Sequence, residues 1–253
     1  MIRAVTIDFW NTIVGTGGGD ERRRTRDDAL REALAGEGVA WDEEQVRAGF
    51  KHVYAEFERV WFGAQRTPTA SESLDGLWSY LGIRVRPEAK AHVVRAFEDS
   101  ILSGPPELLP GAADAIAALA GRFRLAVISD TAFSPGRALR EVLAGHDILR
   151  HFTALVFSDE TGVAKPHPIA FQTALTALDA EAAATVHIGD IERTDIAGAK
   201  NAGMRAILFR GDSGAMYRGD EAPTRADAVA RQWADVPGII DALSAVVQGN
   251  TIP

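Results

Sequence analysis

The sequence predicts an α/β fold, in which a parallel sheet is covered by helices on both faces and is interrupted near its start by an all-helical insertion. Short apolar runs rich in β-branched residues recur along the chain with helical patterns between them, as is typical of a parallel sheet. The stretch 20–103 has helical periodicity and no comparable strand. The length of 253 residues, of which 46% are hydrophobic, suits one large domain or a core with an inserted subdomain.

Five apolar runs are predicted as the strands of the sheet. In chain order they are IRAVTIDF (2–9), RLAVIS (124–129), ALVFS (154–158), ATVHIG (184–189) and RAILF (205–209). Their alternation with helical patterns indicates parallel pairing, with helices on both faces of the sheet.

Three helices of this core have start and stop signals in the sequence. The signals are Pro110, Gly111 and Gly121 around an alanine-rich helix, Pro166 and Pro168 before FQTALTAL, and Asp195 and Gly203 around IAGAKNA. The polar segment RGDSGAMYRGDEAP (210–223) is predicted to be a mobile surface loop.

The helical insertion is recognised by one-sided apolar stripes. The stripes are Val46, Phe50, Val53, Phe57 and Val60, then Leu74, Leu77, Trp78 and Leu81, then Val93, Val94, Phe97 and Ile101. Gly15–Gly19 and Gly104–Pro106 punctuate the two ends, as hinges would. We therefore predict a core of residues 1–15 and 106–253, with a helical insertion of residues 16–105.

The composition narrows the function classes. A formal net charge of −8 argues against a general grip on polyanions, and the chain has no basic tail for nucleic acid or anionic lipid. The absence of cysteine excludes a disulfide framework, a thiolate zinc site and a thiol nucleophile. The start, MIRAVTIDFW, lacks the pattern of a signal peptide, and no long apolar run is present. We expect a cytoplasmic monomer or homodimer that binds a small-molecule substrate, and neither nucleic acid nor a membrane.

Four polar segments directly follow predicted strands. They are Asp8 with Thr12, Ser129 with Asp130, Lys165 with Pro166, and Gly189 with Asp190 and Asp195. The carboxyl ends of the strands in an open α/β sheet form one crevice, so we expect these segments to converge there. Three carboxylates in one crevice would repel each other unless a hard cation lay among them, and oxygen ligands suit Mg²⁺.

The segments DFWNT, VISDT, GVAKPHP and GDIERTD, in this order, resemble motifs I to IV of the haloacid dehalogenase (HAD) superfamily. The resemblance covers nearly the whole chain, and the helical insertion after the first motif is similar to that superfamily's first type of cap. It implies a Rossmannoid parallel-sheet core, an all-helical cap, an aspartate nucleophile and a hydrolase that is usually a Mg²⁺-dependent phosphatase.

The resemblance also implies roles for individual residues. Asp8 would be the nucleophile and a metal ligand, together with the backbone carbonyl of Trp10 and the carboxylate of Asp190. Asp195 would be a further ligand or would support the ligands. Lys165 would offset the charge of Asp8 and of the transferring group.

The remaining predicted site residues would bind the phosphoryl group or the rest of the substrate. Ser129 and Thr12 would hold phosphoryl oxygens, and Trp10, Asn11 and Asp130 are predicted to contact the substrate.

Several residues have simpler structural explanations. Asp195 could only cap its helix, and Ser129 and Thr12 could be ordinary turn residues. The basic run Arg22–Arg24 is better explained as a solvated face than as an anion clamp. Trp61, Trp78 and the phenylalanines of the insertion are assigned to its core rather than to a ligand platform.

Trp10 departs from the family pattern. Most HAD phosphatases carry an aspartate at this position, two residues after the nucleophile, where it acts as general acid and base. Loss of a positioned general acid or base costs about 10² to 10⁴ in rate. The departure predicts slow turnover of ordinary alkyl phosphates, a narrow activated substrate, or another residue in this role.

Two other functions stay open. Haloacid dehalogenases of the same superfamily also carry an aromatic residue near this position, but they work without metal, whereas GDIERTD retains both acids of the Mg²⁺ pattern. The other alternative is a HAD-like binding or regulatory protein whose catalysis has lapsed at Trp10.

Overall fold

The computed structural model describes residues 1–212 and 223–249 and contains one six-stranded sheet. Its strands are β1 Ala4–Ile7, β2 Arg124–Ser129, β3 Ala154–Phe157, β4 Thr185–Gly189, β5 Arg205–Phe209 and β6 Ala228–Ala230. The strand order is β3-β2-β1-β4-β5-β6, and every pairing is parallel. The predicted α/β fold is confirmed. β6, a strand of three residues, was not predicted because it is too short to carry a pattern.

Ten α-helices accompany the sheet in the described residues. They are α1 Gly19–Gly36, α2 Glu43–Ala64, α3 Ala70–Leu81, α4 Pro87–Ser103, α5 Ala112–Ala120, α6 Gly136–Gly145, α7 Ser158–Thr161, α8 Pro168–Ala177, α9 Ala197–Asn201 and α10 Val236–Gly249. Residues of α5, α6 and α10 are buried against one face of the sheet, and residues of α8 and α9 against the other. None of the described helices is both long enough and apolar enough to cross a membrane.

Helices α1 to α4 follow one another without an intervening strand, as the apolar stripes predict. α1 packs against α4 and α2 against α3 around a separate apolar cluster that contains Leu30, Leu74 and Phe97. The Asp42 carboxylate accepts hydrogen bonds from two N–H groups at the start of α2, and Thr69 and Glu72 form a reciprocal capping box at the start of α3. Strong local signals therefore define these helices, and their apolar faces build a second core.

The two chain segments that join the helical insertion to the sheet cross at a pair of glycines. Gly18 has a φ of 77°, and a Cβ atom placed on it would lie 2.2 Å from the carbonyl oxygen of Gly104. Only glycine permits both the left-handed conformation and this backbone contact. The predicted hinges thus lie side by side. Most of the predicted loop 210–223 lies outside the described residues.

Candidate active site

The sheet order reverses direction between β1 and β4, and two of the predicted site acids lie at the carboxyl ends of these two strands. Asp8 follows β1, and Asp190 follows β4. Strands to one side of this point run in the order β1, β2, β3, and strands to the other side in the order β4, β5, β6. A crevice opens at such a switch point because the helices that follow the two strands lie on opposite faces of the sheet.

Asp8 and Lys165 form the centre of the site. The Asp8 N–H donates to the carbonyl oxygen of Ile188 in β4 at 2.8 Å. The Lys165 ammonium donates to Asp8 Oδ1 at 2.5 Å, to Asp195 Oδ1 at 2.6 Å and to the carbonyl oxygen of Ile128 at 3.1 Å. These bonds use all three donors of the ammonium. Because Lys165 is also buried, its charge is held in one place.

The prediction that Lys165 directly follows a strand is wrong. Helix α7 lies between β3 and Lys165. The Lys165 N–H donates to Asp130 Oδ1 at 2.9 Å, and the Ala164 N–H donates to the carbonyl oxygen of Gln65, just after α2, at 2.7 Å. A side-chain acceptor after β2 and a backbone acceptor after α2 therefore hold the lysine loop in the crevice.

Both carboxylate oxygens of Asp195 accept hydrogen bonds, and one of the partners, His187, was not among the predicted site residues. The ring of His187, on β4, bonds Asp195 Oδ1 through Nε2 at 3.1 Å and Thr6 Oγ1 through Nδ1 at 2.8 Å. Asp195 Oδ2 accepts from the Ile191 N–H at 3.0 Å. Burial opposes ionisation of Asp195, but the Lys165 charge and the His187 hydrogen bond outweigh it and lower the pKa of this carboxyl.

Burial also lowers the pKa of His187, which is therefore neutral at neutral pH. Its Nε2 carries the proton, because the carboxylate of Asp195 can only accept a hydrogen bond. A histidine inside an otherwise apolar strand is the signal that could have identified this residue, since a buried imidazole requires partners on both nitrogens.

The prediction that Asp195 opens a helix is wrong. Asp195 lies inside a short π-helical turn, Glu192–Ile196, and α9 begins only at Ala197. Its side chain folds back over Gly189, where a Cβ atom would lie 2.4 Å from the Asp195 Cγ. A glycine at the end of β4 is therefore required for this carboxylate to reach Lys165. The position of Asp195 comes from the turn and the glycine rather than from helix capping.

The three carboxylates suit a hard divalent cation. Asp8, Asp190 and Asp195 each offer one oxygen, and these oxygens lie within 4.8 Å of one another. Asp190 Oδ1 is buried without a hydrogen-bond partner among the described residues. A buried carboxylate oxygen left unpaired costs free energy, so its natural complement is a cation. The donor set consists of oxygens, which fits Mg²⁺ better than a softer metal.

The charges of the cluster do not balance. Burial raises the pKa of Asp8 well above its usual range, with Lys165 opposing the rise and Asp195 and Asp190 adding to it. Burial and the charge of Asp195 raise the pKa of Asp190 to about 7. Burial also acts against the charge of Lys165, but the neighbouring carboxylates raise the pKa of its ammonium. One fixed positive charge therefore faces three acids.

We expect Asp190→Asn to stabilise the metal-free protein at pH 8. The folded-state pKa of Asp190 lies at about 7 and the unfolded value near 3.8, so the folded state holds this proton longer. Its contribution to stability is therefore full below pH 4 and is lost as the pH rises through 7. Asparagine cannot ionise, so we expect a gain of about 1 to 3 kcal/mol in the free energy of unfolding.

The measurement is urea denaturation of both proteins in EDTA at pH 8 and at pH 4, where the difference should shrink. We also expect Mg²⁺ to stabilise the parent protein but not the Asp190→Asn variant, because the variant lacks one of the three carboxylates of the cluster. A variant that is less stable than the parent at pH 8 in EDTA would contradict the charge imbalance.

Trp10 and Asn11 lie in a tight turn after Asp8. The turn is closed by hydrogen bonds from Val14 N–H to the Phe9 carbonyl at 3.1 Å and from Asn11 N–H to the Val14 carbonyl at 2.7 Å. Asn11 has a φ of 55°, which asparagine tolerates better than most residues. The Trp10 ring packs edge-on against Phe9, with centroids 5.2 Å apart. The turn thus holds the indole two residues after Asp8, at the position where the resemblance to the HAD motifs would imply an acid.

Ser129 and Thr12 lie deeper than the other predicted residues. Both side chains are buried, neither hydroxyl has a partner among the described residues, and neither residue lines the cavity described below. The carbonyl oxygen of Thr12 accepts a hydrogen bond from the Trp233 indole at 2.8 Å, which fixes the turn from below. Their predicted part in holding phosphoryl oxygens stays a prediction.

Asp130 joins the sheet to the helical insertion. Its Oδ1 accepts from the Lys165 N–H, and its Oδ2 accepts from the Trp61 indole N–H at 2.8 Å. Burial raises the pKa of Asp130 to about 6, although Lys165 opposes the rise. Both carboxylate oxygens are thus engaged. Asp130 lines the cavity, and its predicted contact with substrate stays a prediction.

A cavity of about 530 Å³ lies between the helical insertion and the ends of the strands. It is lined from the sheet side by Asp8, Trp10, Asn11, Asp130, Ala132, Phe133, Lys165, Asp190, Ile191, Thr194 and Asp195, and from the insertion by Val53, Tyr54, Phe57, Glu58, Trp61 and Ser73. The assignment of Trp61 and Phe57 to the core of the insertion is therefore wrong, because both face this cavity. Trp78 lies in that core as predicted.

The basic run Arg22–Arg24 is only partly the solvated face that the sequence predicts. Arg23 and Arg24 are exposed, but Arg22 is half-buried. Its guanidinium donates to the carbonyl oxygens of Thr16 and Gly17 at 2.8 Å each and lies 5.8 Å from the Trp10 ring centroid. Burial lowers the pKa of Arg22. Arg22 therefore stabilises the glycine-rich hinge segment that contains Thr16 and Gly17. It is not among the residues that line the cavity.

A protein-family model and a curated relative both match this chain. Residues 2–203 match the family model described as a hydrolase, haloacid dehalogenase-like hydrolase. Glyceraldehyde 3-phosphate phosphatase of Pyrococcus abyssi is 36% identical over 88 residues, which are 35% of this chain and 36% of that protein. The match therefore spans about a third of the curated relative.

Similar solved structures extend over nearly the whole chain, among them a dehalogenase and a phosphatase. The 2-haloacid dehalogenase of Pseudomonas syringae pv. Tomato DC3000 is 26% identical with a TM-score of 0.66, over 96% of this chain and 99% of that one. A HAD phosphatase of Thermococcus onnurineus is 17% identical with a TM-score of 0.65, over 94% and 98% of the two chains, which shows a shared fold.

Proposed function

The chain belongs to the haloacid dehalogenase-like hydrolase family, and from this premise we propose that it is a Mg²⁺-dependent phosphatase of small phosphorylated molecules with Asp8 as nucleophile. The observation that carries the proposal is the acidic cluster. Asp8, Asp190 and Asp195 bring ligand oxygens within 4.8 Å of one another beside a single buried ammonium. A site that takes a metal and a phosphoryl dianion has a reason to hold these charges together, because charge neutralisation dominates phosphoryl transfer.

The proposed reaction begins at the carboxylate of Asp8. Lys165 holds Oδ1 in place, so the carboxylate meets the phosphorus from a fixed direction and forms an aspartyl-phosphate as the leaving oxygen departs. Water then attacks the phosphorus of this intermediate, which releases inorganic phosphate and restores Asp8. Bound at Asp8, Asp190 and the Trp10 carbonyl, with Asp195 as ligand or support, Mg²⁺ would supply charge neutralisation for the transferring group.

We propose that residues 16–105 act as a cap on the core of residues 1–15 and 106–253. Two contacts between these parts support the proposal, the Trp61 indole on Asp130 and the Gln65 carbonyl on the Ala164 N–H. Both lie next to the Lys165 loop. A cap joined to the core through the glycine hinges and resting on this loop would enclose the reacting group and exclude water.

The test is a panel of alkyl phosphate esters, acyl phosphates and 2-haloacids, assayed with Mg²⁺ and with EDTA. We expect phosphate release that requires Mg²⁺. Halide release that persists in EDTA would identify a dehalogenase instead. Silence on every compound would point to a protein that binds without turnover.

The dehalogenase alternative has two observations in its favour. An aromatic side chain at position 10 cannot protonate a leaving group, and halide needs no proton. The Pseudomonas dehalogenase structure is also similar over nearly the whole chain. Against it stands Asp190, a third buried acid with an unpaired Oδ1 beside Asp8 and Asp195, which metal-independent chemistry gives no reason to retain.

We expect Trp10→Asp to speed the turnover of simple alkyl phosphates. Trp10 lines the cavity two residues after Asp8, so a carboxyl group there could protonate the leaving oxygen and later activate water. A positioned acid contributes about 10² to 10⁴ in rate, and we expect kcat to rise by about 10². The control is Trp10→Asn, which opens similar space without an acid. Equal rates in both variants would assign any gain to the lost indole, and an unchanged rate in the Trp10→Asp variant would show that another group already supplies the proton.

A further inference from the structure

Beyond the carboxylates and Lys165, much of the cavity lining consists of rings and aliphatic side chains. Its apolar lining residues are Trp10, Val53, Phe57, Trp61, Ala132 and Phe133, and the insertion adds Tyr54, Glu58 and Ser73 beside them. The four rings of the apolar set are tryptophans and phenylalanines from three chain segments, brought together by the docking of α2 against the loop after β2. The part of the cavity beyond the reacting group is therefore an aromatic chamber, by which we mean the space between these six apolar residues.

Several rings of the aromatic chamber are fixed from behind. Trp61 is 8% exposed, and its N–H is bonded to Asp130. Phe133 is 7% exposed and packs edge-on against Phe97, with centroids 5.1 Å apart and the Arg26 guanidinium 4.9 Å away. Phe57 lies 5.9 Å from the Trp61 ring at an angle of 55°. Rings held in this way present preformed apolar surfaces, which favour a flat apolar ligand at little cost in conformational entropy.

The aromatic chamber offers little to a charged or heavily hydroxylated group. Among the described residues that line the cavity, Lys165 is the only cation, and its three donors are already engaged. A second phosphate or a carboxylate on the leaving group would thus lack a positive partner, and Glu58 adds a further acid to the lining. Tyr54 and Ser73 are the hydroxyl side chains that the insertion adds to the lining, and each further sugar hydroxyl buried without a partner would cost about 1 to 3 kcal/mol.

The chemistry at position 10 selects the leaving group independently. With an indole in place of an acid, the departing oxygen must leave as an anion. A phenolic oxygen has a pKa of about 10, whereas an alkoxide is about as basic as hydroxide, since the pKa of bulk water is about 15.7. An aryl oxygen can therefore leave unprotonated where an alkyl oxygen cannot.

We propose that the substrate is a phosphate monoester of an uncharged phenol, whose ring lies in the aromatic chamber between Phe57, Trp61 and Trp10. This inference rests on the proposed phosphatase function and specifies its substrate class. An Asp8 oxygen bonds to phosphorus while the phosphorus–aryl oxygen bond breaks, and the aryloxide leaves with the electron pair and takes its proton from solvent. Hydrolysis of the aspartyl-phosphate then yields inorganic phosphate and returns Asp8 as a carboxylate.

The experiment compares phenyl phosphate, glycerol phosphate and acetyl phosphate as substrates of the full chain with Mg²⁺. We expect kcat/KM for phenyl phosphate to exceed that for glycerol phosphate by at least about 10³, from the leaving group and the ring contacts together. Acetyl phosphate has a good leaving group without a ring, so it reports phosphoryl transfer alone.

Phe57→Ala isolates the contribution of the aromatic chamber. Phe57 is not part of the buried core of the helical insertion, so its truncation should leave the fold intact. We expect the ratio of kcat/KM for phenyl phosphate to that for acetyl phosphate to fall by about tenfold, mainly through KM. The matched control is Tyr80→Ala, which removes an exposed ring of the same insertion that is not among the residues lining the cavity and should leave the ratio unchanged.

The outcomes separate this inference from the function on which it rests. Turnover of acetyl phosphate with glycerol phosphate equal to or better than phenyl phosphate would overturn the aryl assignment and leave the phosphatase intact. An unchanged ratio in the Phe57→Ala variant would remove the substrate ring from the aromatic chamber. Failure of all three substrates to release phosphate would overturn the phosphatase function itself.

Discussion

Replacement of Asp8 by asparagine is expected to abolish Mg²⁺-dependent phosphate release, with a fall in kcat of at least about 10⁴. An amide at this position keeps the size of the side chain but cannot attack phosphorus. Asp8 is one of three acids facing one ammonium, and burial with the charges of Asp195 and Asp190 already raises its pKa. The neutral side chain should therefore be tolerated in the fold. Phosphate release by the purified variant measures the effect.

The control for this substitution is Asp42→Asn. Asp42 caps α2 through its side chain and is not among the residues that line the cavity, and asparagine caps helices about as well as aspartate. We expect the Asp42→Asn variant to keep its rate and stability. If the Asp8→Asn variant retained activity within about tenfold of the parent while both variants were folded, Asp8 would lose its assignment as nucleophile.

The largest effect on stability is expected from Lys165→Met. The Lys165 side chain is 3% exposed, and its ammonium bonds Asp8, Asp195 and the Ile128 carbonyl. Methionine has a similar length but leaves two buried carboxylates without their positive partner, which typically costs about 3 to 5 kcal/mol. We expect that loss in the free energy of unfolding in EDTA, partly restored by Mg²⁺, and a fall of about 10² to 10³ in kcat from the missing donor.

Urea denaturation in EDTA and with Mg²⁺ measures this cost, and Lys200→Met is the matched control. Lys200 pairs with Asp227 at 2.8 Å, but its side chain is 26% exposed and Asp227 keeps Arg205 as a second partner. We expect the control to lose about 1 kcal/mol or less. Similar losses in the two variants would show that the buried ammonium at Lys165 does not balance the acidic cluster.

Much of the fold follows from local patterns in the sequence. All five predicted strands are present, and most residues of the predicted apolar stripes, though not Phe57, Val60 and Ile101, belong to the core of the helical insertion. The convergence of Asp8 and Asp190 follows from a general property of parallel sheets, since strands that run in one direction end at one edge. Only the path to Lys165 differs, because α7 intervenes after β3.

The parts of the site that could not be predicted depend on residues distant in sequence. His187 bonds Thr6 across 181 positions, and Trp61 bonds Asp130 across 69. Neither pair shares a pattern that a single strand or helix displays. Trp61 on an amphipathic helix looks the same whether it packs inside the insertion or faces the sheet.

The sequence alone determined the fold class, five of the six strands and the acids and lysine that meet at the carboxyl edge of the sheet, because apolar periodicity and the polar residues beside it are local properties of the chain. Only the tertiary structure decided which other side chains contact these acids and line the cavity. His187 can support Asp195 because β4 pairs with β1, which places Thr6 beside the other nitrogen of the His187 ring. How α2 docks on the loops after β2 and β3 determines that Trp61 and Phe57 line the cavity and that Asp130 is engaged on both oxygens. These contacts depend on the relative placement of whole helices, which is set by packing and burial and not by any short segment.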